Sequence, residues 1–78
     1  MIKTGKIYSV RKNKHGKINV YSKNQNGIYN FINNDLVYKK IALVLCREVR
    51  DMPKGFFYKC LIDNNLFVIP SENLAEIK

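Results

Sequence analysis

Turn-forming residues return along this chain before any apolar run can lengthen, and that spacing constrains the fold more than any other feature. Asn13-Lys14-His15-Gly16, Asn24-Gln25-Asn26-Gly27, Asn33-Asn34-Asp35, Asp51-Met52-Pro53-Lys54-Gly55 and Asp63-Asn64-Asn65 divide the sequence into short pieces. The longest uninterrupted apolar run is Ile41 to Cys46, far below the roughly 20 residues with which a helix crosses a bilayer. Pieces this short, bounded by Asn, Gly and Pro, suit strands joined by tight turns.

Alternation within the pieces supports the same reading. Gly5 to Val10 sets Ile7 and Ser9 on one face and Tyr8 and Val10 on the other, and Lys17 to Ser22 sets Ile18 and Val20 against Asn19 and Tyr21. These two segments are expected to pair as a hairpin through Asn13–Gly16. Asn26-Gly27 tolerates the positive φ of a tight turn and leads to a third strand, Ile28 to Ile32. Leu36 to Arg50 admits two readings. Asn34 or Asp35 can cap a helix with Lys39, Lys40, Arg47 and Arg50 on its polar stripe; the β-branched central run and the Pro53-Gly55 loop after it favour a strand. Phe56 to Ile62 then returns as a strand and Leu66 to Ile69 as another, Pro70 halts the second, Ser71 to Leu74 makes a short helical turn, and Ala75 to Ile77 resumes extended structure.

The expectation is a mainly β fold, a small closed or half-closed antiparallel barrel of about five or six strands with a 3-10 turn near the C-terminus. A single domain over residues 1–78 is expected, because two would leave each half too short to bury a useful core. One apolar core of this size contributes only roughly 3 to 5 kcal/mol, which leaves room for oligomerisation or a partner to add stability.

Ile69-Pro70-Ser71-Glu72-Asn73-Leu74-Ala75-Glu76-Ile77 resembles the end of an SH3-like barrel. In that family a penultimate strand stops at a proline, one 3-10 turn follows and a short last strand closes the barrel. Phe57 to Ile62 and Leu66 to Val68 fit the preceding hairpin, so the resemblance covers residues 41 to 77. The acidic and aromatic set with which eukaryotic SH3 domains grip proline-rich peptides is not found, and that activity is not carried over. Bacterial and phage SH3-like barrels, including KOW-type modules, often bind nucleic acid or ribonucleoprotein, and Gly16-Lys17-Ile18 resembles a KOW turn. The chain is also similar in style to small early proteins of T4-type phages, which act on host machinery.

Charge supplies the functional signal. Lys3, Lys6, Arg11, Lys12, Lys14, Lys17 and Lys23 stand among the first 34 residues with no acid at all, whereas seven bases meet six acids from Asp35 onward. Nearly the whole formal charge of +8 therefore belongs to the first 34 residues. Clustered cations attract polyanions. The candidate nucleic-acid contacts are Lys6, Arg11, Lys12, Lys14, His15, Lys17, Tyr21 and Lys23, with Tyr8, Tyr21 and Tyr29 as possible stacking faces. The partner expected first is DNA or RNA; the alternative is a host protein that the chain inhibits or modulates, since basic surfaces also meet acidic proteins.

Catalysis has little to build on. His15 has no acid near it in sequence to orient it and reads as a phosphate contact or a solvated turn residue. Cys46, Cys60 and His15 cannot complete a four-ligand zinc site. If Arg47 and Lys59 oppose each other across a hairpin, the two cysteines do too and can form a cross-strand disulfide in an oxidising compartment; otherwise they read as small buried hydrophobes. No metal or cofactor is expected. The N-terminus has no signal-like apolar stretch, so a cytoplasmic protein, in the host cytoplasm if phage-encoded, with reduced thiols is expected.

Overall fold

The alternation read in residues 5–10 becomes a strand, β1 (Ile7–Val10), that buries Tyr8 and Val10 and leaves Ile7 53% exposed. In the computed structural model, residues 2–23, 29–33, 35–48 and 56–77 are described. The chain continues through β2 (Asn19–Lys23), β3 (Tyr29–Asn33), a 3-10 turn at Asp35–Val37, β4 (Ile41–Glu48), β5 (Phe57–Ile62), β6 (Asn65–Pro70), a 3-10 turn at Ser71–Asn73, and β7 (Leu74–Glu76). The strands form one antiparallel sheet in the order β3-β2-β6-β5-β4-β1-β7. The fold is mainly β, as the patterning predicts. Among the described residues no helix is long and apolar enough to cross a membrane.

Over its described residues, 36–48, the strand-or-helix segment resolves in favour of the strand: a single 3-10 turn occupies the start and β4 takes the β-branched run. Val37 from that turn is buried with the core, which fixes the entry to β4. The β5–β6 hairpin turns on Asp63 and Asn64 at φ 48° and 66°. This left-handed pair is the conformation a two-residue hairpin needs, and Asp and Asn tolerate it. The Asn24–Gly27 turn and the Asp51–Gly55 loop lie outside the described residues.

The hairpin expected between residues 5–10 and 17–22 does not form. β1 pairs with β4 on one side and β7 on the other, and β2 pairs with β3 and β6. Both edges of β1 are taken, so its backbone groups have no ladder left to offer β2. Residues 11–18 instead cross from one end of the sheet to the other. The sheet curls around one cluster that draws Tyr8 and Val10 from β1, Ile18 and Val20 from around β2, Val44 from β4, Cys60 from β5, Ile69 from β6 and Leu74 from β7. Each Val or Ile so buried contributes about 1.5 to 3 kcal/mol relative to exposure.

The opposite face of the sheet has two parts. On one, Val68 stands in register between Tyr21 and Lys59, and Phe57 meets Tyr21 edge to face with ring centroids 5.7 Å apart. Val68 and Phe57 are buried there, outside the main cluster. On the other part, Ile7 opposes Leu43, Leu43 opposes Leu61, and Leu61 opposes Leu66.

Candidate functional site

The basic segment forms a loop held at its base by one buried side chain. Asn13 organises the tip: its Oδ1 accepts from the backbone N–H groups of His15 at 2.9 Å and Lys17 at 3.0 Å. Its own N–H donates to the Lys17 carbonyl at 2.9 Å. Gly16 closes the turn at φ 73°, a left-handed conformation that costs glycine nothing. At the base, Asn73 is fully buried. Its Nδ2 donates to the carbonyls of Arg11 at 2.9 Å and Lys17 at 3.0 Å, and its Oδ1 accepts from Asn19 N–H at 3.1 Å. The Asn73 carbonyl also accepts from Arg11 N–H at 2.8 Å. An Asn can make these bonds because its amide both donates and accepts; Asp or Leu at the position cannot.

A second turn lies against the loop. Lys39 N–H donates to the Val10 carbonyl and Val10 N–H to the Lys40 carbonyl, both at 2.9 Å, so residues 38–40 are tied to the end of β1. Lys39 adopts φ 65°, unusual for a side chain with a Cβ. The Tyr38 ring, 39% exposed, takes the Lys12 ammonium 4.9 Å from its centroid and the Lys39 ammonium at 5.4 Å. Two cations at one tyrosine ring are held by its negative face.

Of the residues named from sequence, Arg11, Lys12, Lys14, His15 and Lys17 come together, all exposed. Arg11 is anchored through Nε to the Glu72 carbonyl at 3.1 Å. Lys6 is exposed at the opposite end of β1 and does not join them. Tyr21 is half-buried on the Phe57 side of the sheet, away from the loop. Tyr8 is buried and its hydroxyl accepts from Lys3 N–H at 2.8 Å, which corrects its reading as a stacking face. The side chains of Lys23 and Tyr29 lie outside the described residues. Tyr38 and Lys39 were not among the candidate contacts; they sit within the strand-or-helix segment, where Lys39 was read only as part of a helix's polar stripe. Glu72 is the one acid with a described bond at this site, its Oε1 accepting from Asn19 Nδ2 at 3.4 Å.

Arg11 also lines a groove of about 850 Å³ together with Arg47, Phe56, Tyr58, Leu74 and Glu76. The Arg47 guanidinium lies 4.1 Å from the Phe56 ring centroid. Cation and ring together make a surface for a planar or anionic group.

The cysteines are both free. A bulge between Val44 and Cys46 shifts the ladder, so that Cys46 opposes Lys59, Arg47 opposes Tyr58 and Cys60 opposes Val44. They are therefore not directly opposed. Cys60 is a buried small hydrophobe, as read, but Cys46 is exposed, because the bulge turns it out of the core. Burial pushes the Cys60 thiol up to about 12, with a smaller contribution from neighbouring Cys46. No group of three or more His, Cys, Asp or Glu suited to a metal ion occurs among the described residues. No known protein family, curated protein or solved structure matches the chain.

Proposed function

We propose that the chain is a small non-catalytic nucleic-acid-binding module of the SH3-like type, gripping the phosphate backbone of DNA or RNA through the 11–17 loop. The β4-β5-β6 meander, the 3-10 turn after Pro70 and the return of β7 to β1 support the SH3-like part. The functional part is carried by one observation. Asn73 fixes both ends of a loop that exposes Arg11, Lys12, Lys14 and Lys17, and Lys12 and Lys39 converge on the exposed Tyr38 ring. Prepositioned cations meet phosphates without first losing loop entropy, and a tyrosine among them offers a base a stacking surface.

The experiment is a salt series with duplex DNA, single-stranded DNA and structured RNA. Four neutralised phosphates give a log-log slope of affinity against salt of roughly −3 to −4, and each Lys→Ala change in the loop removes about one unit. Absence of binding to all three at low salt, with a protein partner retained after nuclease treatment, replaces this reading by the protein-modulator one.

A further inference from the structure

The groove beside the loop offers surface for a flat group as well as for an anion. One wall is Arg47 from β4 with Phe56 from just before β5, the guanidinium carbon 4.1 Å from the ring centroid. Ser71 N–H donates to the Phe56 carbonyl at 2.9 Å, which ties the backbone under that ring to the second 3-10 turn. Phe56 is 50% exposed even with the cation against it, so apolar surface is left open to the groove. Buried Tyr58 and Leu74 line the same space. Arg11 lines it too, and because its Nε is engaged by the Glu72 carbonyl, its Nη donors are left for an anion. Among the described residues neither guanidinium has an ion-pair partner, and Glu76 is the one acid lining the groove.

We propose that this groove takes an unpaired base of a strand whose phosphates lie on the 11–17 loop, which rests on the nucleic-acid reading above and narrows its substrate to single-stranded DNA or RNA. Arg11 makes the groove continuous with the loop. The next residue, Lys12, lies over the Tyr38 ring, so residues 11–12 join two cation–ring pairs, Arg47 with Phe56 and Lys12 with Tyr38. Bases stack on aromatic rings and on guanidinium planes. A duplex keeps its base faces stacked on one another and brings only phosphates to such a groove, whereas a single strand brings faces and phosphates together. The volume of about 850 Å³ falls within the roughly 300 to 1,000 Å³ of small-ligand sites, which is room for a base with its sugar. Carboxylates of an acidic peptide would use the two guanidinium groups and leave the ring surface uncovered.

Fluorescence anisotropy on the full chain tests this with a single-stranded oligonucleotide, its duplex and an abasic oligomer of the same length. The comparison is made at about 0.15 M salt, where phosphate attraction is damped, with poly-glutamate as competitor. The single strand is expected to bind about tenfold more tightly than the duplex. Phe56→Leu removes the ring and keeps an apolar side chain at an exposed position. It should weaken the single strand about tenfold, with circular dichroism, abasic-oligomer binding and the dependence on salt unchanged, and Phe56→Trp should restore affinity. A duplex bound as tightly as the single strand, or an equal Phe56→Leu loss on the single strand and the abasic oligomer, overturns the groove assignment and leaves the phosphate grip of the loop standing. Poly-glutamate that displaces the strand as effectively as unlabelled oligonucleotide assigns the groove to carboxylates and overturns it. Absence of binding to every nucleic acid overturns the assignment together with the reading beneath it.

Discussion

The basic loop and the aliphatic row both lie on the solvent side, the row with Ile7 and Leu66 exposed and Leu43 and Leu61 half-buried, and they depend on the rest of the molecule in opposite ways. The loop is polar, irregular and held in shape by a side chain from the far end of the sequence, Asn73. The row is apolar and regular, and each of its side chains is placed by the ladder of the strand that carries it. A charged surface made from a loop needs a tertiary anchor, whereas an apolar surface made from strands is fixed once register is fixed. Salt separates them too. On the function proposed above, raising it screens phosphate attraction at the loop, whereas the apolar row carries no charge for salt to screen.

The change that should break this contrast most sharply is Asn73→Leu. It leaves the Arg11 carbonyl and the Asn19 N–H without the side-chain partner they have here, at about 1 to 3 kcal/mol for each group that stays buried, whereas the Lys17 carbonyl keeps the Asn13 N–H. Urea unfolding should show a loss of about 2 kcal/mol or more in total. In the folded fraction nucleic-acid affinity should fall while the strand ladder that carries the row, read by far-ultraviolet circular dichroism, is kept. Equal loss of both properties would show that the loop and the row are not independently supported.

Next in size is the combined Ala variant of Arg11, Lys12, Lys14 and Lys17, measured by fluorescence anisotropy against salt. Its slope should approach zero, since about four phosphate contacts are removed. A smaller effect, about tenfold or less, is expected for Tyr38→Ala on a single-stranded oligonucleotide, and little on an abasic oligomer of the same length, because stacking needs bases and ion pairing does not. An equal loss on both oligomers would assign Tyr38 to holding Lys12 and Lys39 in place.

The mildest test concerns the thiols. In native protein one cysteine, Cys46, should react with a thiol reagent at neutral pH, and both should react after denaturation. Burial raises the Cys60 thiol to about 12 from 9.0, so the folded state holds that proton more tightly than the unfolded chain. Its contribution to stability is complete below pH 9 and is lost as pH climbs toward 12. Cys46→Ser should leave nucleic-acid binding unaltered.

The strands were legible because their information is local. Alternation in residues 7–10 and 18–22, turn chemistry at Asp63-Asn64 and the β-branched run of 41–46 each express a preference over a few neighbours. The C-terminal 3-10 turn was legible for the same reason, with Pro70 ending one strand and Leu74 beginning another. The partners of β1 were not. A turn at Asn13–Gly16 suggests a hairpin, and the turn does form, but β4 and β7 occupy both edges of β1. Tyr8 was misread as a stacking face because strand alternation places a side chain on one face or the other without saying which is the core.

What the sequence by itself determined is the class of fold and the concentration of positive charge in the first 34 residues, because turn propensity, alternation and net charge act over short range or by simple addition. Tertiary structure alone decided which cations gather. Lys6 was separated from the others by the length of β1, and Lys39 and Tyr38 were brought in when the backbone of residues 39–40 bonded to Val10. Tertiary structure also decided that four aliphatic side chains from four strands form one row on the face away from the core, since register between strands far apart in sequence is set by burying the other face.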